Sequence, residues 1–319
     1  MIKDSKEFDS IIKANLIKFD DVPDDSFGNE MIKDSKEFDS IIKANLIKFD
    51  DVPDDSFGYE INERKYDNYY TSVCFEAFKA DMQEGYPQHF KKYDDGKGGE
   101  FDKKMGRYGL MPPKMASVAS SSRFCYLALR DVAGIEFEKE CKIKGITGTA
   151  PQLDAYIPQD FCNIFLEVKC HEIFDSHKLI MKNKYLTHFK ENNIFLDIAS
   201  NAIEGEEEFT APLSLFGIDE ETSHFDVKQF ICHLLGIAEN TWEKPAKLVY
   251  LFFIPDVEDE QTKKEIKDFF DRLQDEIKAI FTSEPIVKFC KDNNISLSAI
   301  AEKSKTMETL TTENTVVLF

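Results

Sequence analysis

The chain has no apolar run of about 18 residues, which excludes a helical membrane span. Its opening residues, MIKDSKEFDS, hold no apolar stretch of the secretory kind. Its seven cysteines (74, 125, 141, 162, 170, 232 and 290) are odd in number, and none stands in a C-x-x-C pair. Neither a disulfide framework nor a zinc ribbon is therefore expected. Cys141, Cys162, Cys170 and Cys232 lie in apolar patterns and read as small buried hydrophobes of a reduced, cytoplasmic protein. A nucleotide-binding P-loop is missing too, since TGTAPQ lacks the lysine that would hold phosphate. Positive charge is scarce: 40 Lys and Arg face 60 Asp and Glu, for a net charge of −20. That balance opposes unselective binding to duplex nucleic acid, where cationic contacts to phosphate dominate. The deficit is uneven. Residues 1–60 hold 8 Lys and Arg against 16 Asp and Glu, whereas residues 61–150 carry a small positive excess.

What is present is a globular composition. With 319 residues, 42% of them hydrophobic and 28 of them phenylalanine, the chain is long and apolar enough for one large or two modest cores. Residues 1–30 and 31–60 are one sequence written twice, differing only at Asn29 against Tyr59. Structural repeats diverge and need three or more units, so the doublet reads as a fold-neutral duplication. Met31–Glu60 is then the copy that joins the domain. Each copy spaces Phe8, Ile11, Ile12 and Leu16, or their equivalents, as a short helix broken at Val22-Pro23-Asp24-Asp25.

Further along, Tyr66, Tyr69, Tyr70, Phe75 and Phe78 predict a helix over 61–83 with an aromatic core stripe. Residues 85–114 read as a long loop rich in glycine, aspartate and lysine, including Lys91, Lys92, Lys103, Lys104 and Lys114. Loops of that length are usually functional or mobile, and this one is the best candidate for contacting phosphate. A helix is expected over 116–133, ended by Gly134. Ser120, Ser121, Ser122 and Arg123 stand near its start, where backbone donors meet anions. Residues 135–144 alternate as a strand, with Ile135, Phe137 and Cys141 on one face and Glu136, Glu138 and Glu140 on the other.

The chemistry concentrates in TAPQLDAYIPQDFCNIFLEVKCHEIF, residues 149–174. QLDAYI and FLEVK read as adjacent strands joined by a turn at Pro158-Gln159-Asp160. In FLEVK, Leu166 and Val168 share one face and Glu167 and Lys169 the other. If the strands pair, Asp154, Glu167 and Lys169 converge. Two acids bind a hard divalent cation through oxygen, and a nearby amine holds or activates a water.

Asp154 followed by Glu167-Val168-Lys169 resembles the PD-(D/E)XK nuclease superfamily over roughly residues 115–256. Pro151 stands three residues before the aspartate rather than beside it. The resemblance implies an α/β fold with a restriction-endonuclease-like αβββαβ core, a central mixed sheet flanked by helices. It implies metal-dependent hydrolysis of nucleic acid, DNA rather than RNA, by an endonuclease of restriction, defence or repair type. Asp154, Glu167 and the Val168 carbonyl would hold Mg²⁺, with Mn²⁺ as a substitute, and Lys169 would activate the water. Glu138 would be the additional upstream acid. Gln229, on the helix FDVKQFICHLLGIAEN, resembles the glutamine of one branch of the superfamily. In that branch a tyrosine often follows four residues later, where this chain has His233. Ser122, Arg123 and Lys114 are the candidate substrate contacts. Cutting both strands would call for a homodimer.

The division expected is a duplicated segment over 1–30, a helical region with a basic loop over 31–114, the core over 115–256, and a helical extension over 257–319. Within the core, KLVYLFFIP at 247–255 reads as a central strand buried on both faces. Two other functions fit parts of the chain. One is an inactive nuclease-like module offering an acidic surface to a basic protein. The other is a thiol hydrolase pairing Cys170 or Cys232 with His171 or His233.

Overall fold

The computed structural model describes residues 57–303, apart from short gaps at 96–98, 107–108, 131, 133, 147, 149, 160–161, 171, 204, 241–243 and 255–259, together with 315–317. The helices expected in the duplicated N-terminal copies lie outside the described residues.

The chain opens with a hairpin, β1 (Phe57–Ile61) and β2 (Arg64–Tyr70), where a helix was expected from residue 61. Asn62 and Glu63 both take positive φ, 49° and 66°, the conformation of a tight turn matched to strand twist. Tyr59, the one residue that distinguishes the second copy from the first, is buried in β1. Helix α1 (Ser72–Gly85) follows, capped by the Thr71 hydroxyl, which accepts the Cys74 N–H. The supposed basic loop is largely ordered. It forms helix α2 (Pro87–Asp94), with proline in its first turn, and the hairpin β3 (Lys104–Gly106) and β4 (Gly109–Met111). Buried His89 and Tyr93, four residues apart, fix α2 to the interior. Helix α3 (Ser121–Leu129) is shorter than 116–133 because Ser120 caps it, its hydroxyl accepting the Arg123 N–H at 3.2 Å.

Three strands then form an antiparallel meander: β5 (Glu136–Glu140), β6 (Gln152–Pro158) and β7 (Asn163–Lys169). The small hairpin β8 (Ile180–Lys182) with β9 (Glu208–Thr210) flanks helices α4 (Asn183–Asn192) and α5 (Leu196–Ala199). Helix α4 begins directly after β8. Helix α6 (Val227–Glu239) leads into β10 (Ala246–Ile254), which pairs parallel to β7. Helices α7 (Glu260–Thr282) and α8 (Glu284–Asp292) lead into β11 (Ile295–Lys303), parallel to β10, and β12 (Thr315–Val317) closes that edge. Residues 257–319 are therefore not a helical extension alone, since they add two strands to the sheet.

The result is an α/β protein around one mixed sheet in the order β12-β11-β10-β7-β6-β5. Residues 57–135 cover one face through Phe75, Tyr93, Met115, Cys125 and Leu129, which pack on Phe137, Ile164, Leu166 and Leu251. Helices α4 to α8 cover the other, through Phe189, Phe230, Leu234 and Ile277 on Phe165, Leu248 and Phe252. β10 is buried on both faces, as its unbroken apolar run requires. Gly236 lets α6 approach this closely: a Cβ there would lie 2.7 Å from the Cys141 carbonyl oxygen. No helix among the described residues is long and apolar enough to cross a membrane.

Candidate functional site

The β6–β7 register, which pairs Ala155 with Leu166, carries Asp154 to Glu167. There the main-chain ladder ends and the Asp154 side chain takes over, its Oδ2 accepting the Val168 N–H at 2.7 Å. Lys169 Nζ donates to Glu167 Oε1 at 2.8 Å and to Gln229 Oε1 at 2.6 Å. Gln229 Nε2 donates back to the same Glu167 oxygen at 3.0 Å. Four residues singled out in the sequence therefore meet at one end of two strands and one helix. Asp226 fixes the helical member: its carboxylate caps α6 by accepting the Gln229 N–H, which sets Gln229 in the first turn facing the sheet.

The electrostatics are those of crowded acids. Burial, and then the charge of Glu167, push the Asp154 carboxyl well above the usual carboxylate range, against the Val168 N–H and Lys169. Burial works against the charged form of Lys169, but Glu167, Glu172 and Asp154 more than offset this and hold the amine charged. The second oxygen of Glu167 is different. Oε2 is buried, makes no hydrogen bond, and lies 3.7 Å from His233 Nε2. Burial pushes His233 below its ordinary value, so the ring is neutral at pH 7. It is a packed interior residue rather than a surface one, with Nδ1 3.0 Å from the Tyr250 hydroxyl.

This donor set suits a hard divalent cation. A buried carboxylate oxygen without a partner is costly, and Asp154 is disfavoured as an anion by the same neighbour. Among the described residues no group of three or more His, Cys, Asp or Glu side chains is placed to hold a metal. The ligands here would be two carboxylates and the Val168 carbonyl.

Of the other expected residues, Glu138 stands beside this group and the rest lie further off. Glu138 sits opposite Asp154, between the pairs Phe137–Ala155 and Lys139–Leu153. Its φ of 51° breaks the alternation expected of that strand. Its Oε2 accepts from Gln152 Nε2 at 3.2 Å, and it faces Glu100, Lys114 and Lys92. Lys114 is engaged by the buried Glu100 at 2.9 Å. Arg123 is 7% exposed, with its guanidinium 4.0 Å from the ring centres of both Tyr70 and Phe78. It joins α3 to β2 and to α1. Ser122 is half-buried, and its carbonyl is 3.5 Å from the Tyr93 hydroxyl.

Three participants were not singled out in the sequence. Glu172 accepts the Cys170 N–H at 3.0 Å and acts on both Asp154 and Lys169. Its place three residues after Lys169 was the available signal. Tyr250 pairs with Glu167 across β7–β10 and meets His233. Gln152 holds Glu138. The thiol chemistry has no support: burial raises both Cys170 and Cys232, and Cys232 Sγ donates to the Tyr185 hydroxyl at 3.3 Å. His171 lies outside the described residues.

No protein-family model matches the chain, and neither does any curated protein or solved structure.

Proposed function

We propose that the protein is a metal-dependent phosphodiesterase acting on nucleic acid, a nuclease with a PD-(D/E)XK site. The observation that carries this reading is the buried, unpartnered Oε2 of Glu167, beside Asp154 and hydrogen-bonded through Oε1 to Lys169. The order α3-β5-β6-β7-α6-β10, with β8, α4, α5 and β9 inserted before α6, supports it, being the αβββαβ sequence that the resemblance implies.

Asp154, Glu167 and the Val168 carbonyl would hold Mg²⁺ or Mn²⁺. Bound there, the cation would supply Lewis acidity toward a phosphate oxygen and lower the pKa of a water. The protein's part follows from its own contacts. Lys169, kept protonated by three acids, presents N–H donors and positive charge where negative charge grows on the phosphate oxygens. Gln229 fixes the amine and the carboxylate relative to each other, so neither swings away. Neutral His233 on α6 and Tyr250 on β10 close the site from the interior, keeping water away from the back of Glu167.

The test is Mn²⁺ binding by isothermal titration. Wild type binds, and Asp154→Asn and Glu167→Gln weaken binding by about 10-fold or more. Binding unchanged in both variants rejects the site. An inactive binding module predicts no dependence on either carboxylate.

A further inference from the structure

Glu276 stands on α7, and its Oε2 collects three donors from one turn. The Ser223 hydroxyl donates to it at 2.6 Å, the His224 N–H at 2.9 Å and the Phe225 N–H at 3.3 Å, the last shared with Ser223 Oγ at 3.1 Å. These donors lie 51 to 53 positions away in the chain. An ionised acceptor makes such bonds short and strong. The turn is held from its other side as well. Ser223 exchanges both main-chain hydrogen bonds with His177, at 2.8 and 2.9 Å, and His224 Nδ1 meets the Ile173 carbonyl oxygen at 3.1 Å. His224 also packs edge-on against Phe269 of α7, with 5.1 Å between ring centres. Residues 217–226 form no helix or strand beyond the Ser223 bridge to His177, so these contacts are what fix the turn.

The turn runs directly into Asp226, whose carboxylate caps α6 and sets Gln229 in its first turn. The Gln229 amide bonds Glu167 at 3.0 Å and Lys169 at 2.6 Å, and such bonds weaken steeply when their geometry slips. A shift of the turn is therefore a shift of that amide. We propose that Glu276 is a positioning residue of the carboxylate site: through the Ser223–Phe225 turn and the Asp226 cap, it holds Gln229 against Glu167 and Lys169. Its effect on a bound cation rests on the phosphodiesterase reading, whereas the placement of Gln229 does not. Helix α7, which lies outside the αβββαβ core, thereby takes part in building the site.

The experiment has two readouts. The first is the Gln229 side-chain amide of the metal-free protein, followed by proton–nitrogen NMR in EDTA and assigned by its loss in Gln229→Ala. In wild type the bond to Glu167 shifts one of its two protons downfield. Glu276→Ala returns the pair to the position of a solvated glutamine. Glu276→Gln, which keeps an oxygen for the three donors, leaves the pair in place. Ser223→Ala removes one donor only and moves the pair part of the way, so it decides the matter if Glu276→Ala does not fold. An unmoved pair in folded Glu276→Ala, or in Ser223→Ala where that variant alone folds, overturns the proposal.

The second readout is Mn²⁺ affinity by isothermal titration. Glu276→Ala weakens binding by about 10-fold. The double variant Gln229→Ala/Glu276→Ala binds no more weakly than Gln229→Ala alone, although the two losses of thermal stability add. Additive losses of affinity, or an affinity lost in Gln229→Ala but unchanged in Glu276→Ala, overturn the proposal. A wild type that binds no Mn²⁺ rejects the phosphodiesterase reading and leaves the amide signal to decide the role of Glu276.

Discussion

Gln229 donates to Glu167 from 62 positions further along the chain, at 3.0 Å, while its own oxygen accepts from Lys169 at 2.6 Å. One amide thereby sets the spacing of an acid and an amine that lie two residues apart on β7. Gln229→Ala leaves α6 capped by Asp226, so the fold persists, but it frees both partners. Cleavage falls by about 10- to 100-fold and the apparent Mg²⁺ affinity falls with it. Gln229→Glu places a third acid against Glu167 and lowers activity further. Steady-state kinetics against Mg²⁺ concentration separate the two effects, and an unchanged rate in both variants removes Gln229 from the site.

Glu138 gives the metal-free protein a pH dependence of definite sign. Burial, and then Glu100, raise its carboxyl from 4.5 to about 7, against Lys114, Lys92 and Gln152. The folded protein holds a proton that the unfolded chain has already released. That contribution to stability is complete below about pH 4.5 and is lost as pH rises through about 7. Glu138→Gln abolishes the loss. In EDTA, melting curves of wild type and variant diverge across this window, with the variant the more stable at the alkaline end by a few degrees. Parallel curves contradict the assignment.

Arg123 is structural, so its replacement acts on stability. Its guanidinium lies between Tyr70 and Phe78, 4.0 Å from each ring centre, in a buried position. Arg123→Met keeps the length and loses the desolvated cation–π pairing, about 2 kcal/mol. Thermal stability drops by several degrees while the salt slope of nucleic-acid binding is unchanged. A changed slope with unchanged stability would return Arg123 to the substrate.

Gly236→Ala tests the approach of α6 to the sheet. The new methyl would meet the Cys141 carbonyl oxygen at 2.7 Å and its Cβ at 2.8 Å, both on the core side. Neither atom belongs to a flexible side-chain end. The expected loss is about 1–3 kcal/mol, measured by urea denaturation. Because Gln229 and Gly236 share one helix, activity falls more than stability alone accounts for.

The residues of the site were legible because strand chemistry is local. Alternation in FLEVK places Glu167 with Lys169, and a two-strand turn brings Asp154 opposite. Gln229 was legible as a polar residue on the flank of an apolar helix. Residues 61–70 form strand rather than the expected helix because Tyr66, Tyr69 and Tyr70 fit helical spacing as well as they fit a hairpin, and the Asn62–Glu63 turn lacks the glycine that usually marks one. Helix α2 was hidden by its surroundings, since only His89 and Tyr93 of its eight residues are buried and the flanking glycines read as loop. Arg123 looked like a phosphate ligand because position along a helix says nothing about which rings pack over it. Glu138 kept its expected strand but not its expected face, since a positive φ within a strand leaves no mark in the sequence.

The most direct measurement is cleavage of plasmid, linear duplex and single-stranded DNA in Mg²⁺ and in Mn²⁺ by wild type, Asp154→Asn and Lys169→Ala. Asp154→Asn keeps an oxygen for the Val168 N–H and removes a charge that Glu167 opposes, so it should fold and melt no lower than wild type. The account predicts metal-dependent cutting by wild type, reduced by about 100-fold or more in both folded variants. No cutting by wild type with either metal, or undiminished cutting by both folded variants, would contradict it.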